Sequence, residues 1–310
     1  MKIVSLLPSA TEIVCALGLE ESLVGITHEC DFPPGIADRP ALTASRISHE
    51  TMSSLEIDHA VRRQLDGHGS IYDLDTTTLE ALKPDLILTQ ELCDVCAVSY
   101  KTVLKAAKMY VADAQVVSLE PNTIDDIFEN IKTVGALAGV SDRADALVST
   151  FQQRLLEIRK RSAQASNKPR TFMLEWLEPP FAPGHWVPEQ VEIAGGTVLL
   201  GEPGKPSLTT TFEAIRESNP EVIVMIPCGY YTHDILRQLD STFFPSDWQE
   251  IDAVKNGNVW ALDATSYFSR PGPRVVDGVE ILAKILHPEI FGSPTETEAI
   301  RVPRNLLNFK

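Results

Sequence analysis

SDRADALVSTFQQRLLEIRKRSAQASNK, residues 141–168, is the stretch on which the fold turns. It carries a helical pattern of about 25 residues, which at about 1.5 Å per residue gives roughly 37 Å of helix. Few helices inside one compact lobe need that length, whereas a stiff connection between two lobes does. The organisation expected is an N-terminal lobe over residues 1–140, a bridging helix over 141–167, a C-terminal lobe over 168–290 and a peripheral tail over 291–310.

Both flanks of that helix alternate strand and helix. On the N-terminal side KIVSLL, SLVGI, DLILT and QVVSL read as buried strands, and on the C-terminal side RTFMLEW, EVIVMIP and NVWALD do. Helical patterns separate them, including NTIDDIFENIKTVGALA, VPEQVEIAGG and PRVVDGVEILAKILHP. Strands separated by helices pair in parallel, so each lobe is read as α/β. The first helix opens at Pro8-Ser9, with Ser9 and Glu12 spaced as a capping box, and stops at Gly18 as a C′ glycine. Cys15, inside that helix, is read as inert packing.

An internal repeat points the same way. TTTLEALKPDLILT (76–89) matches TTTFEAIRESNPEVIVM (209–225) with an insertion before the proline. One copy in each half favours two similar lobes, with Glu80 and Glu213 in equivalent surface positions.

Composition narrows the function. Lys and Arg number 27 against 43 Asp and Glu, a net charge of −16 that argues against sequence-independent nucleic-acid or anionic-membrane binding. No apolar run approaches the roughly 20 residues of a membrane span. Met1-Lys2 leads straight into a short apolar run stopped by Pro8, so the sequence as written reads as cytoplasmic, or as extracytoplasmic if a leader has been removed. Nucleotide and hydrolase signatures (G-x-G-x-x-G, a P-loop, H-E-x-x-H, G-x-S-x-G) are missing from it.

Ligands of α/β sheets bind beyond the carboxyl ends of the strands, so the segments after strands carry the candidate site. They are THECDFPP, QELCDVC, LEPPFAPGHWVPE, CGYYTHD and ATSYFSRPGPR. Together they hold His185, Trp186 and Tyr230, further aromatics, and every cysteine except Cys15. The pair Cys93 and Cys96 can be half a zinc site, a redox pair, a disulfide or two thiols beside a ligand. His28, Cys30, Cys93, Cys96 and Cys228 form a candidate ligand set for zinc or another borderline-soft transition metal. Five cysteines in so long a chain are read as thiols rather than a disulfide framework.

SLLPSATEI, HECDFPP, LEALKPDLILTQ, EWLEPPFAPGHWVPE with its following AGG, and SYFSRPGPR resemble the cobalamin-type periplasmic binding proteins. These belong to the class of ABC-transporter substrate-binding proteins that also includes iron-siderophore binders. The resemblance runs in order through nearly all of residues 2–288. It implies two Rossmann-like α/β lobes bridged by one long helix, with a ligand cleft between the lobes. It implies non-catalytic binding of a corrinoid, cobalamin or cobinamide, by aromatic faces and hydrogen bonds. Asp31, Phe32, Pro180, Phe181, Tyr267, Phe268 and Arg274 match the family's cleft segments. Glu80 and Glu213 match the pair of lobe-surface glutamates that meet arginines of an ABC permease. A broad, largely apolar corrin with an amide rim suits aromatic contacts and a few orienting polar groups. The alternative is a cytoplasmic protein that uses the cleft cysteines and histidines for metal-dependent or thiol chemistry on the same scaffold. Siderophore or haem binding is a third reading, which the net acidity disfavours for an anionic siderophore.

Overall fold

The computed structural model describes residues 1–45, 47, 51–66, 72–90 and 100–310. Cys93 and Cys96 lie outside the described residues, as do His49 and His68. The chain divides into two compact units, one of residues 1–48, 59–121 and 125–149, the other of residues 49–58, 122–124 and 150–310.

In the first unit the elements run β1 (Ile3–Ser5), α1 (Pro8–Ala16), β2 (Leu23–Gly25), β3 (Thr43–Ser45), α2 (Ser54–Asp66), β4 (Tyr72–Leu74), α3 (Thr76–Leu82), β5 (Leu86–Thr89), α4 (Tyr100–Tyr110), β6 (Gln115–Ser118) and α5 (Ile124–Leu137). Parts of α2 and α5 count with the other unit. The sheet has the order β2-β1-β5-β6 and every pairing is parallel. Ile3, Val4, Ile87 and Leu88 are completely buried, the unbroken apolar run expected of strands covered on both faces. β3 and β4 pair antiparallel beside this sheet.

Helix α1 begins differently from the capping box expected at Ser9 and Glu12. Pro8 is its first residue, Leu7 is its N-cap without a side-chain bond, and both Ser9 and Glu12 are buried. A proline at the first position has its φ preset and no N–H to satisfy, so the helix opens at Pro8, two residues earlier than a Ser9 cap would allow. Its end is as read: Gly18 has φ +71°, its N–H donates to the Cys15 carbonyl at 2.9 Å, and the Leu19 N–H donates to Val14 at 3.1 Å. These two bonds are the Schellman closure. Burial pushes the Cys15 thiol up to about 12, in keeping with a packing role.

Helix α6 (Ser141–Ser162) spans 22 residues, with Asp142 in its first turn and Arg159, Lys160 and Arg161 in its last, the arrangement the helix dipole favours. It stops at Ser162 rather than near 167, because the polar segment that follows runs into Pro169. Residues of α6 up to Ser149 belong to the first unit and the remainder to the second, so this one helix passes from unit to unit.

The second unit continues with β7 (Arg170–Leu174), β8 (Phe181–Ala182), α7 (Val187–Ile193), β9 (Thr197–Val198), β10 (Leu208–Thr209), α8 (Phe212–Ser218), β11 (Val222–Met225), α9 (Thr232–Leu239), β12 (Phe243–Phe244), α10 (Asp252–Lys255), β13 (Val259–Leu262), α11 (Ala264–Tyr267), α12 (Val275–Leu286), α13 (Pro288–Phe291), β14 (Ala299–Arg301) and β15 (Asn308–Phe309). The main sheet is β14-β13-β11-β7-β9, parallel except for β14. The α/β class and the two Rossmann-like lobes are therefore as expected.

The tail is not peripheral. β14 pairs with β13, the Arg301 guanidinium lies 4.9 Å from the Trp260 ring centre, and Ala299, Val302 and Leu307 are buried. β15 pairs with β12 in a second small sheet. A three-residue edge strand has too short an alternation to announce itself in the sequence.

Candidate functional site

Three loops converge at the carboxyl edge of the second unit's sheet. β7 ends at Leu174, and Glu175 follows at once. Its N–H donates to the Phe181 carbonyl at 3.2 Å and its carbonyl accepts the Cys228 N–H at 3.1 Å. Its side chain accepts from the Gly184 N–H at 3.2 Å and from the Ser207 hydroxyl. Burial pushes this carboxyl up to about 7, against the two hydrogen bonds that pull it down.

Next to Gly184, His185 has φ +50°, a left-handed conformation that is rare for a side-chain-bearing residue. Two backbone bonds to the 204–205 turn hold it: its N–H donates to Lys205 at 2.6 Å and its carbonyl accepts from Gly204 at 2.9 Å. Its Nδ1 is buried with no hydrogen-bond partner, and burial lowers its pKa.

The aromatic residues of these loops separate into two kinds. Trp186, Tyr230 and Phe268 are 6%, 1% and 2% exposed. Trp186 Nε1 donates to the Phe268 carbonyl at 2.8 Å, and Tyr230 meets Trp176 edge-on with ring centres 5.4 Å apart. Buried this deeply, the three rings support the loops and offer little face to a ligand. Phe181 and Tyr267 keep partial exposure, as do His185 and Arg274, while Pro180 is buried. Burial raises the Tyr267 and Asp263 pKa values, although the Ser266 N–H caps Asp263 at 2.8 Å.

In the first unit the loop after β2 carries His28, Cys30, Asp31 and Phe32. Asp31 is exposed and Phe32 is 38% exposed, beside a cis peptide to Pro33. His28 Nδ1 lies 2.7 Å from the Thr43 hydroxyl, which is itself 2.8 Å from the Thr27 hydroxyl. Tyr72 donates to Glu29 at 3.0 Å, and the Glu29 carboxylate lies 3.9 Å from His28 Nε2. Cys30 is buried with its sulfur 3.0 Å from the Thr11 hydroxyl, whereas Cys228, in the other unit, is exposed. Among the described residues no group of three or more His, Cys, Asp or Glu side chains could hold a metal ion.

Glu80 and Glu213, the two glutamates expected to meet a permease, are not in equivalent positions. α3 and α8 are each seven residues long, capped by Asp75 and Thr211, whose side chains accept from Thr78 and Ala214. Each ends in a left-handed residue, Lys83 (φ 50°) and Asn219 (φ 42°), followed by proline. The fully buried anchors are Leu79 and Ile215. Caps, anchors, prolines and strands thus align without any gap, which sets Glu213 against Thr77 and Glu80 against Arg216. The matched Thr-Thr-Thr and Glu-Ala runs had set the register wrongly. Both glutamates are exposed, Glu213 as the second residue of its helix and Glu80 as the fifth.

Residues 3–265 match the periplasmic binding protein family over most of the chain. The chain belongs to that family. It is 26% identical over 283 residues to the vitamin B12-binding protein of Vibrio cholerae, covering 90% of this chain and 86% of that one. It is 25% identical to the ABC transporter substrate-binding lipoprotein YvrC of Bacillus subtilis, covering 94% and 81%. Among solved structures it is similar to the periplasmic vitamin B12-binding protein BtuF of Vibrio cholerae, with TM-score 0.64, 24% identity and coverage of 92% and 96%. It also resembles a periplasmic haem-binding protein of Pseudomonas aeruginosa, with TM-score 0.73, 20% identity and coverage of 97% and 99%.

Sequence reasoning missed Glu175, Ser207, Glu29 and Thr43. Glu175 had been absorbed into a strand, and only its place one residue past the strand end marked it. The other three became visible only through the chain partners that folding gives them. No helix among the described residues is long and apolar enough to cross a membrane.

Proposed function

We propose that this protein is the substrate-binding component of an ABC uptake system and that its ligand is a corrinoid, cobalamin or cobinamide. The observation that carries the reading is the relationship, along nine-tenths of the chain, to a vitamin B12-binding protein. The loops after the strands suit such a ligand. Phe32 in one unit, and Phe181 and Tyr267 in the other, keep ring surface that a broad apolar macrocycle can cover. Asp31, His185 and Arg274 are the polar groups near them in sequence that would fix its orientation, with Pro180 shaping the Phe181 loop. Trp186, Tyr230 and Phe268 back these contacts from within. No bond is made or broken; the protein binds, and delivers its ligand to a permease on the outer side of the membrane. Glu213 is the permease-docking residue of the second unit, with Glu80 a weaker contributor.

The test is an absorbance titration with aquocobalamin and cobinamide, with haemin as comparator, on the native protein and on Cys93→Ser/Cys96→Ser. Corrinoid binding shared by both proteins supports an aromatic clamp. A cobalt-band shift that the double variant loses supports direct thiol contact with the same ligand. Saturable binding of haemin alone would transfer the reading to haem. Binding of neither, together with zinc retained by protein purified without chelators, would favour the metal–thiol alternative built on His28, Cys30, Cys93, Cys96 and Cys228.

A further inference from the structure

Glu175 is joined to several of the second unit's loops. Its backbone reaches Phe181 and Cys228, and its carboxyl reaches Gly184 and Ser207. The loops it joins are in direct backbone contact: a Cβ on Gly184 would stand 2.1 Å from the Ser207 nitrogen. On either side of this contact sit two side-chain-bearing residues with left-handed backbones, His185 at φ 50° and Leu200 at φ 59°. Such conformations persist only where surrounding structure fixes them.

We propose that Glu175 is a positioning residue, its carboxyl clamping the 181–186 loop to the 200–207 loop so that Phe181 and His185 are presented to ligand in one fixed arrangement. This rests on the reading that these loops receive the ligand. Both protonation states close the clamp in geometry: the carboxylate accepts from both donors, and the neutral acid accepts from Gly184 while sharing its own hydrogen with Ser207. They differ in cost, because the closed clamp, although Glu175 keeps partial exposure, takes the carboxyl largely out of water and an open one returns it. The closed form therefore holds its proton more tightly, and the clamp loosens as pH rises through neutrality. Glu178, His185, Glu202, Lys205, Cys228 and Tyr230 are titratable side chains on the segments around it. Burial lowers the pKa of His185.

Amide hydrogen exchange of residues 181–188 and 200–208 reads the clamp without any ligand. Glu175→Ala is expected to speed exchange in both segments about tenfold, and Ser207→Ala about threefold, with other segments unchanged. Native protein, corrected for intrinsic exchange, should open about tenfold more between about pH 6 and 8, while Glu175→Gln stays closed throughout. Calorimetric titration with cyanocobalamin should show about tenfold weaker binding by Glu175→Ala and rescue to within about twofold by Glu175→Gln. Exchange in Ser207→Ala and Glu175→Ala within about twofold of native, or one shared pH profile for native and Glu175→Gln, would overturn the proposal. Should Glu175→Ala fail to fold, Ser207→Ala and Glu175→Gln decide it alone. A clamp that behaves as stated in a native protein that binds no cyanocobalamin would instead sink the corrinoid reading.

Discussion

Residues 75–89 and 211–225 have the same architecture and different surfaces. Each has a polar N-cap, a seven-residue helix, one fully buried aliphatic anchor, a left-handed C-cap, a proline and a four-residue buried strand. What is shared is what a short helix needs to sit on a parallel sheet. What differs is the outward side: Thr77 against Glu213, Glu80 against Arg216. Arg216 is engaged by Asp247 at 3.0 Å, so even the charged position of one copy serves a local purpose in the other. Similarity of fold between the two regions therefore does not carry over to their surface chemistry.

The largest effect should come from the anchors. Leu79→Ala and Ile215→Ala are each expected to cost about 2–5 kcal/mol, within about 1 kcal/mol of each other, by chemical denaturation. A large difference would break the equivalence of the two copies at its base.

The second unit should also show a pH dependence of its own through Glu175. Its folded pKa is about 7 against an ordinary 4.5, so the folded state keeps a proton that the unfolded state has lost. Stability is greatest below the ordinary value, falls as pH rises through this window, and levels off above it. The decline should be about 1–3 kcal/mol, and Glu175→Gln should remove it in thermal unfolding measured across pH.

Docking sharpens the comparison at the surface. Glu213→Arg should weaken association with the cognate permease about tenfold or more, and Glu80→Arg less than about threefold, with ligand affinity unchanged in both. Equal losses would restore the symmetric pair that the repeated sequence suggested.

The caps should differ least in size and most in kind. Thr211→Ala should cost about 1 kcal/mol at any pH. The Asp75 carboxyl is held below its ordinary range by the Thr78 hydroxyl and N–H. Its stabilisation is therefore present above the ordinary carboxylate pKa and is lost as pH falls through the lowered one. Acid titration of the unfolding midpoint in Asp75→Ala and Thr211→Ala separates the two.

The seven strands read from apolar runs are present, because a strand buried on both faces is written as a continuous aliphatic segment. The short strands β3, β4, β8, β9, β10, β12, β14 and β15 were not legible, since two or three residues show no period. Of the candidate site, the segments after the strands were legible as loops, and the packing of their residues was not. Trp186, Tyr230 and Phe268 look in sequence like Phe181 and Tyr267, and only packing separates the supporting rings from those that keep a face.

By itself, the sequence determined the parallel α/β class, the long helix α6 passing from one unit to the other, the loops that follow the strands and the family. These follow from hydrophobic period, chain punctuation and motif order, which are local. Tertiary structure alone decided the true register of the repeat, the incorporation of the tail through β14, the burial of the supporting aromatics and the meeting of Glu175 with Gly184 and Ser207. Each depends on groups distant in the chain being brought within contact distance, and on the desolvation that follows, and neither is written in the order of the residues.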